Sequence, residues 1–309
     1  MIECSISILT KNEELNIGAC LTAVFSQKFD GKFDVLIVDS GSTDATLEIA
    51  RRFPIRIEQI LPEEFHHART RNFAAALGKG AIIVNLSGDA IPASETWLQE
   101  LLANFNDPSV GAVYGRQFPK PASTMERHDT FDAIYGEERI VKDPAHQNGI
   151  GFRFYHFSDV NSALRRSMWE SIPYPEDFKT FEDLAIAKRI LDAGWKIVYE
   201  PKAPVFHSHH YTAKQLLKRY FDIGHTLRQL GIWEESGTRS SLLRSLGQLL
   251  SKQINRSKGG GTSNGLKTAM SQSFAKSVGL LLGLNERFLP LSLKRHLSSY
   301  RVYDTTSRR

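Results

Sequence analysis

Two adjacent acids, Glu182 and Asp183, open an apolar helical pattern, and an earlier Asp89 and a later His207 add a carboxylate and an imidazole. Carboxylates can take a proton from a hydroxyl, and oxygen and imidazole donors can hold a divalent cation. Each residue also has an ordinary structural explanation. First-turn acids favour the helix macrodipole, and a histidine in the run His207-Ser-His-His210 is often solvated or packed. The residue types therefore predict an acid-base and cation site, with a helix start and a structural histidine as the alternatives.

Such a site needs elements that bring distant residues to one place. Three short runs of β-forming residues alternate with helical patterns in the N-terminal part: 5–10, 34–39 and 81–86. Strands that alternate with helices predict an α/β fold with a mostly parallel sheet and helices on both faces. In such sheets ligands bind beyond the carboxyl ends of the strands. Thr10, Asp39 and Asp89 lie at or just beyond these predicted ends, so we expect them at one edge of the sheet.

Helical periodicity returns after a segment that is harder to assign. Residues 115–159 carry three prolines, many charges and no sustained period. We interpret them as loops and short helices that shape the rim of the site. Residues 182–194 then have the apolar spacing of a helix that stops at Gly194. The remaining predicted elements are a strand at 196–200, a helix around 213–230 and a flexible Gly/Ser-rich linker or loop at 257–265.

Length and composition limit the class of protein. A chain of 309 residues with 41% hydrophobic residues can bury a sizeable core. Its two cysteines, Cys4 and Cys20, give neither a disulfide framework nor metal-type spacing, which favours a reducing, cytoplasmic compartment. Glu3 stands where a signal peptide would carry positive charge, and no apolar run approaches the ~18 residues of a membrane span. We therefore expect a folded protein that is neither exported nor threaded through a bilayer.

The net charge of +5 hides an asymmetry. Residues 240–309 carry 12 Lys and Arg residues against two acids, a local charge of +10, so the rest of the chain sums to −5. A basic tail on an acidic body suggests contact with something anionic, such as a membrane surface, nucleic acid or a charged substrate. An ordinary solvated helical surface is the structural alternative.

Several ordered motifs carry a resemblance that covers roughly residues 4–230. The motifs are Thr10-Lys-Asn-Glu-Glu14, Val38-Asp-Ser-Gly-Ser-Thr-Asp44, Ala68-Arg-Thr-Arg-Asn72, Ser87-Gly-Asp89, Phe181-Glu-Asp183 and His207. In this order they resemble the motifs of family 2 inverting glycosyltransferases. Three further stretches look most like the rhamnosyltransferase-like branch of that family: Gly115-Arg-Gln117, Asn161-Ser-Ala-Leu-Arg-Arg166 and Tyr199-Glu-Pro201. The resemblance implies a nucleotide-diphospho-sugar transferase fold, Rossmann-like and of GT-A type, with a helical C-terminal extension.

The resemblance also implies a nucleotide-diphosphate sugar as donor. A carboxylate such as Asp39 would accept from the N–H of a pyrimidine base, while Arg71 would donate to a base carbonyl. The residues it implies for donor binding are Thr10, Asn12, Glu13, Asp39, Ser40, Arg71, Ser87, Gly88 and Asp89. Structural alternatives are a turn capped by Asp39 or Asp44 and a surface ion pair between Arg71 and Glu64.

A divalent cation would offset the charge of the diphosphate leaving group. By resemblance Asp89 binds it and His207 joins the metal shell, and this O/N ligand set suits Mn²⁺ or Mg²⁺. The chain departs from the family's Asp-x-Asp pattern, since Ser87 stands where the first aspartate is expected. We expect that loss to weaken direct metal or ribose contact at position 87.

Inversion needs a carboxylate that takes the proton of the acceptor hydroxyl as its oxygen attacks the anomeric carbon. We assign Asp183 as this general base, with Glu182 orienting it or touching the acceptor. Arg116 and Gln117 are candidates for contact with the acceptor or donor sugar, although a strand-end salt bridge would give the same pattern.

The sequence thus predicts a catalytic domain at 1–230 and a basic, helical extension at 231–309. The expected enzyme is cytoplasmic, or peripheral on the cytoplasmic face of a membrane. It would move a sugar, rhamnose by branch resemblance, onto a polysaccharide or lipid-linked glycan. The alternatives are a fold that lost activity through Ser87, a nucleotidyltransferase and a nucleic-acid-binding protein. Acidic Thr10-Lys-Asn-Glu-Glu14 disfavours the second, and a tail with few aromatic residues disfavours the third.

Overall fold

The computed structural model describes residues 2–120, 134–146, 152–178, 180–209, 211–235 and 263–299. Two compact units divide the chain. The first, here called the sheet unit, comprises Met1–Gln147, Tyr155–Asp177 and Glu182–Ser208. The second, the helical unit, comprises Asn148–Phe154, Phe178–Phe181 and His209–Arg309. The helical unit thus begins before the predicted division at residue 230.

The sheet unit contains a mixed sheet of nine strands among the described residues. In chain order they are β1 Cys4–Thr10, β2 Phe33–Asp39, β3 Arg56–Gln59, β4 Ile82–Ser87, β5 Ile91–Pro92, β6 Val110–Phe118, β7 Ile140–Lys142, β8 Asn161–Arg165 and β9 Lys196–Phe206. Their spatial order is β3-β2-β1-β4-β8-β6-β9-β5, and β7 pairs with β9. Strands β3, β2, β1 and β4 run parallel, as do β6 and β9, whereas β8 is antiparallel to β4 and β6. The predicted α/β fold is confirmed.

Helices connect and cover these strands. They are α1 Ile17–Phe25, α2 Thr46–Ala50, α3 His67–Leu77, α4 Trp97–Ala103, α5 Phe152–Tyr155, α6 Arg166–Ser171, α7 Glu182–Asp192, α8 Ala213–Gln229, α9 Ile232–Glu235, α10 Ser263–Leu284 and α11 Leu291–Leu297. Short 3₁₀ turns lie at Asn104–Asn106, Pro144–His146 and Glu286–Phe288. The two longest predicted helices match α7 and α8, and Gly194 follows α7 with φ +87°, a conformation that favours glycine.

The core of the sheet unit explains why its strands show apolar runs and little alternation. Ile6, Ile8, Ile37, Val84 and Leu86 are all fully buried. They belong to one cluster with side chains of α1 and α4. Strands that are covered on both faces bury consecutive residues, so a parallel sheet gives continuous apolar sequence. This core fixes the strand ends from which the predicted site residues project.

The segment 115–159 departs from the predicted loops in two places. Strand β6 continues to Phe118, and β7 is a strand of three residues. Residue 115, inside β6, is a glycine, and a Cβ there would come 2.1 Å from the Ala203 carbonyl oxygen. The close approach of the two backbones therefore requires a residue without a side chain. A glycine within a strand and a strand of three residues leave no periodicity to read. The parts at 121–133 and 147–151 lie outside the described residues.

In the helical unit α8 and α10 pack together along their lengths. Helix α10 begins at Ser263, inside the predicted linker, and the remainder of that linker lies outside the described residues. A Cβ at Gly279 would come 2.2 Å from the Leu217 carbonyl oxygen, and one at Gly283 would come 2.0 Å from that of Phe221. The two glycines therefore let the helix backbones approach closely. Within the described ranges, no helix is both long and apolar enough to cross a bilayer.

Candidate active site

Asp39 orders the turn that follows β2. Its side chain is fully buried, and Oδ2 accepts hydrogen bonds from the backbone N–H groups of Gly41 and Ser42, each at 3.0 Å. The buried Ser40 N–H donates to the carbonyl of Thr10 at 3.1 Å, which joins the ends of β1 and β2. Asp39 therefore shapes the loop, and its contact with a base stays a prediction.

The loops after β1 and β2 are held together by side-chain hydrogen bonds. Asn12 has φ +55°, and its Oδ1 accepts from the Thr43 N–H at 2.8 Å. The Glu13 N–H donates to Thr46 Oγ1 at 2.7 Å. Asp44 Oδ1 accepts from the Thr46 N–H at 3.0 Å, at the start of α2. The motif residues of this edge thus maintain the loop, and the turn-capping alternative for Asp44 is confirmed.

The Ser87-Gly88-Asp89 stretch leaves β4 directly beside β1. Gly88 donates its N–H to the Leu9 carbonyl at 3.1 Å. A Cβ at Gly88 would come 2.7 Å from Thr10 Oγ1, so a side chain would force the two strand ends apart. The glycine therefore lets Asp89 emerge at the carboxyl edge of the sheet, as predicted from the strand ends.

Asp89 and His207 meet in the sheet unit although they are 118 positions apart in sequence. His207 Nε2 lies 3.5 Å from Asp89 Oδ2, and both residues are 7% exposed. That separation lets one oxygen and one nitrogen donor reach a common cation, since metal–ligand distances to Mn²⁺ or Mg²⁺ are about 2.0–2.3 Å. The donor set and its geometry fit a hard divalent cation, the kind predicted from the sequence.

Gln117 holds the other side of the His207 ring. Its Nε2 donates to the hydroxyls of Tyr135, at 2.7 Å, and Ser158, at 2.9 Å. Its Oε1 lies 3.0 Å from His207 Nδ1. Because both amide protons are used, Oε1 is an acceptor, and this assignment places the imidazole proton on Nδ1. The lone pair of Nε2 then points toward Asp89, which is the tautomer that can ligate a cation.

Lys120 was not singled out from the sequence, yet it lies in this cluster. Its Nζ donates to Asn16 Oδ1 at 2.9 Å and lies 3.9 Å from Asp89 Oδ2. Asn16 Nδ2 in turn donates to Glu13 Oε2 at 2.7 Å. Burial, and more weakly the Asp89 carboxylate, raises the pKa of Glu13. A lysine in a proline-flanked stretch without periodicity gave no sequence signal, and only the fold brings its charge to Asp89.

A second cluster is built around a buried guanidinium. Arg71 Nε lies 3.1 Å from Glu182 Oε1 and 3.4 Å from Asp159 Oδ2. Asp159 Oδ1 accepts from Tyr174 Oη at 2.8 Å and from Ser162 Oγ at 2.6 Å. Arg71 is 6% exposed, so its Nε is engaged with protein carboxylates inside the sheet unit. The predicted donation of Arg71 to a base stays untested, and the alternative pairing with Glu64 is not what the structure has.

Asp159 and Tyr174 belong to the Arg71 cluster, and sequence reasoning missed both. Asp159 precedes β8 in the segment without periodicity, and Tyr174 lies between two prolines. Neither residue lies in a stretch with strand or helix periodicity, so the sequence did not mark them. A buried acid such as Asp159 nevertheless needs a cationic partner. Ser158, the neighbour of Asp159, is the residue that accepts from Gln117. Adjacent backbone positions therefore connect the Arg71 cluster with the His207 cluster.

Glu182 and Asp183 start α7 with opposite electrostatic states. Glu182 is 5% exposed, and His67 and Arg71 outweigh burial and hold its pKa below the usual range. Burial and the Glu182 carboxylate raise the pKa of Asp183 to about 8. The preceding Phe181 has φ +56°, a left-handed conformation that is uncommon outside glycine. The pKa values of the two neighbouring acids are therefore shifted in opposite directions.

Arg116 lies beside this region but not in either cluster. Its Nη1 is 3.7 Å from Glu137 Oε1, and its guanidinium stacks over the Phe118 ring at 4.6 Å. The salt-bridge alternative for Arg116 is therefore present in the structure. Its predicted sugar contact, and that of Gln117, stay predictions.

Comparisons with known proteins agree on family and fold. The model of glycosyl transferase family 2 matches residues 5–172. The chain is 34% identical to the O-antigen chain rhamnosyltransferase WbaN of Salmonella anatum, over 90% of this chain and 88% of that one. It is 33% identical to the O-antigen chain rhamnosyltransferase RfbN of Salmonella typhimurium, over 87% and 86% of the two chains.

Solved structures show the same fold at low sequence identity. The mannosyltransferase PcManGT from Pyrobaculum calidifontis in complex with GDP-Man and Mn²⁺ has a TM-score of 0.63 at 17% identity, over 92% of this chain and 88% of that one. S. aureus TarS 1-349 in complex with UDP-GlcNAc has a TM-score of 0.56 at 17% identity, over 98% and 88%. These likenesses confirm the predicted nucleotide-sugar transferase fold.

Proposed function

This chain belongs to glycosyl transferase family 2, and from that premise we propose that it is an inverting, metal-assisted glycosyltransferase. It would move a sugar from a nucleotide-diphosphate donor to a hydroxyl of a polysaccharide or lipid-linked glycan. The observation that carries the proposal is the 3.5 Å approach of Asp89 and His207 in the sheet unit that also holds Glu182 and Asp183. Cation ligands and a proton acceptor are the two groups that such a transfer needs.

Asp89 and His207 are the residues that would hold Mn²⁺ or Mg²⁺. When bound, the cation would offset negative charge on the diphosphate as the sugar leaves. Gln117 would act as a positioning residue, because an Oε1 that accepts from Nδ1 would leave the lone pair on Nε2 of His207, the nitrogen nearer to Asp89. Lys120 would add a positive charge close to Asp89, which suits a site where Ser87 replaces an aspartate.

The donor nucleoside would lie along the loops after β1 and β2. Thr10, Asn12, Glu13, Asp39 and Ser40 belong to this edge, and hydrogen bonds within and between the two loops order it before a ligand arrives. A preformed loop costs less entropy on binding than a flexible one. The relatives named as rhamnosyltransferases support rhamnose as the sugar, and thymidine diphosphate is the branch-level expectation for the carrier.

Asp183 would be the general base. In the free protein it holds a proton up to a pH of about 8, so it must lose that proton before it can accept one from the acceptor hydroxyl. The pinned Glu182 anion would keep the proton affinity of Asp183 high. Arg71 and Asp159 would adjust the pKa of Asp183 further, since the charge of Arg71 lowers it and that of Asp159 raises it.

A panel of nucleotide sugars tests the proposal, with binding and slow hydrolysis measured with and without Mn²⁺ or Mg²⁺. We expect one donor to bind selectively and Asp89→Ala to lose the metal-dependent part of its affinity. The exposed Asp30 offers a matched control, Asp30→Ala, which should behave as the wild type. A failure of every nucleotide sugar to bind with either cation would refute the proposed function. Binding that is indifferent to both metals and to Asp89→Ala would refute the metal site alone.

A further inference from the structure

One face of α10 is explained by its packing against α8. Gly279 and Gly283 lie against the α8 backbone, and Leu280 and Leu284 are 6% and 5% exposed. These residues recur at the three- and four-residue spacing of a helix face. The rotation of α10 within the helical unit is therefore fixed by close backbone contact with α8.

Several apolar residues of α10 remain exposed, which is unusual for a helix packed on one side. Met270, Phe274 and Leu281 are 46%, 70% and 42% exposed. Their spacings of four and seven residues place them on one stripe of the helix. A solvated helix normally carries polar residues there. The structure therefore leaves Met270, Phe274 and Leu281 exposed while it buries Leu280.

Exposed apolar residues continue beyond the end of α10. Phe288, in the following 3₁₀ turn, is 71% exposed, and Leu291, at the start of α11, is 52% exposed. Helix α11 brings Leu297 back to α10, where Leu297 and Phe274 line a groove of about 490 Å³. The floor of the groove comes from small and aliphatic residues of α8 and α10, including Leu217. Exposed apolar residues thus occur on α10, in the turn and on α11.

Basic residues flank the apolar ones. Lys214 and Lys218 line the same groove as Phe274, and Lys267 and Arg287 are exposed along α10 and the turn after it. The Arg287 guanidinium lies 4.7 Å from the centre of the Phe288 ring. Protruding aromatic and aliphatic side chains beside lysine and arginine are the pattern of a peripheral membrane surface.

We propose that the helical unit binds the surface of an anionic phospholipid bilayer through this apolar-basic face. The face is defined by Met270, Phe274, Leu281, Phe288 and Leu291 with Lys214, Lys218, Lys267 and Arg287. The apolar side chains enter the boundary between head groups and acyl chains, and the basic ones contact lipid phosphates. The inference stands independently of the proposed reaction, although it would bring the enzyme to a lipid-linked acceptor.

Charge and shape favour a bilayer over two other occupants. A second copy would bring the same positive face against this one, and like charges would repel. A nucleic acid would satisfy the lysines, but Met270, Leu281 and Leu291 would gain nothing against a phosphate backbone. A bilayer with anionic head groups matches both the apolar and the basic part of the face.

Vesicle flotation of the full chain tests the proposal, with phosphatidylcholine alone and with phosphatidylcholine and phosphatidylglycerol at a ratio of about 2:1. We expect the wild type to prefer the anionic vesicles by about tenfold. The double variant Phe274→Ser/Phe288→Ser should lose about tenfold of that binding, because its anchors are gone. Lys267→Glu/Arg287→Glu should lose the preference for anionic lipid.

Matched controls come from the sheet unit. Leu61→Ser/Ile140→Ser removes two other exposed apolar residues, and Lys32→Glu/Lys79→Glu reverses two other exposed lysines. Both controls should float as the wild type does, and thermal unfolding with donor binding checks that every variant is folded. Equal losses in the face variants and the controls would overturn the proposal. So would a wild type that ignores vesicles, or one that forms a dimer which Phe274→Ser/Phe288→Ser converts to a monomer.

Discussion

Each unit of the chain buries an ionic cluster, and the two clusters are balanced in opposite ways. In the sheet unit Arg71 faces Asp159 and Glu182, with Asp183 next to them, so carboxylates outnumber the cation. In the helical unit a single carboxylate, Glu286, has three basic partners: Arg228, Lys294 at 2.6 Å and His225 at 3.7 Å.

The balance of charge decides what each cluster can do. Burial together with neighbouring carboxylates raises the pKa of Asp183 to about 8, so this acid can exchange a proton near neutral pH. Burial would also raise the pKa of Glu286, but Lys294, His225 and Arg228 together hold it below the usual range. A buried acid with surplus cations is locked as an anion and serves the fold. A buried acid with surplus anions remains reactive, which is typical of functional sites.

The sharpest test of this contrast is Asp183→Asn. It removes the proton acceptor and keeps nearly the same shape, so turnover should fall by about 10²–10⁴-fold while donor affinity changes little. Single-turnover transfer and donor titration measure the two effects. Asp192→Asn, at the far end of the same helix, is the control and should keep its activity. Normal turnover by Asp183→Asn would show that the reactive acid lies elsewhere.

The next largest effect should come from Gln117→Leu, which extends the reactive side of the comparison to His207. Without Oε1 no acceptor holds the proton of His207 on Nδ1, so Mn²⁺ affinity should fall by about 10–100-fold. Calorimetry or electron paramagnetic resonance measures this affinity. Gln117→Glu keeps an acceptor for Nδ1–H and should recover part of the affinity. Gln27, which also bridges backbone groups by its amide, provides the control Gln27→Leu. If both leucine variants bind Mn²⁺ as the wild type does, Gln117 has no positioning role.

The structural side of the comparison predicts a loss of stability without loss of chemistry. Glu286→Gln leaves the half-buried Arg228 and Lys294 without their anion, so the free energy of unfolding should fall by about 1–3 kcal/mol at neutral pH. The Glu286 pKa is lowered in the folded state, so its contribution is present above the unfolded value and disappears as pH falls through the folded value. Urea unfolding at neutral and acidic pH should show the difference shrinking. Glu48→Gln, in an exposed pair with Arg52, should cost less than about 0.5 kcal/mol.

The smallest expected effect is a shift in the pH profile. A base with a pKa of about 8 must be deprotonated to act, so kcat/KM should rise with pH and level off above about that value. Glu182→Gln removes a neighbouring negative charge, so less negative charge offsets the positive charge of Arg71. The apparent pKa of the acidic limb of the kcat/KM profile should therefore move down by about one unit. An unchanged limb would mean that Glu182 does not set the proton affinity of Asp183.

The sequence anticipated more of the edge formed by the ends of β1, β2 and β4 than of the cluster around Arg71. Strand ends at Thr10, Asp39 and Asp89 were readable, because a parallel sheet gives apolar runs that end at polar residues. Asp159, Tyr174 and Lys120 were not, because each lies in irregular sequence where no period or motif marks it. The sequence also did not predict that Arg71 is buried. Its motif suggested a contact with a ligand, whereas its neighbours in the structure are the carboxylates of Asp159 and Glu182.

By itself the sequence determined the family and the α/β fold, and it predicted Glu182, Asp183, Asp89 and His207 as site residues. It could do so because strand and helix periods and ordered motifs are local properties. Only the tertiary structure decided in which direction the pKa of each acid of the pair is shifted, which side chains flank His207, and which residues of α10 are exposed. Those outcomes depend on burial and on charges brought together from distant positions, as when Arg71 meets Glu182 or Gln117 meets His207.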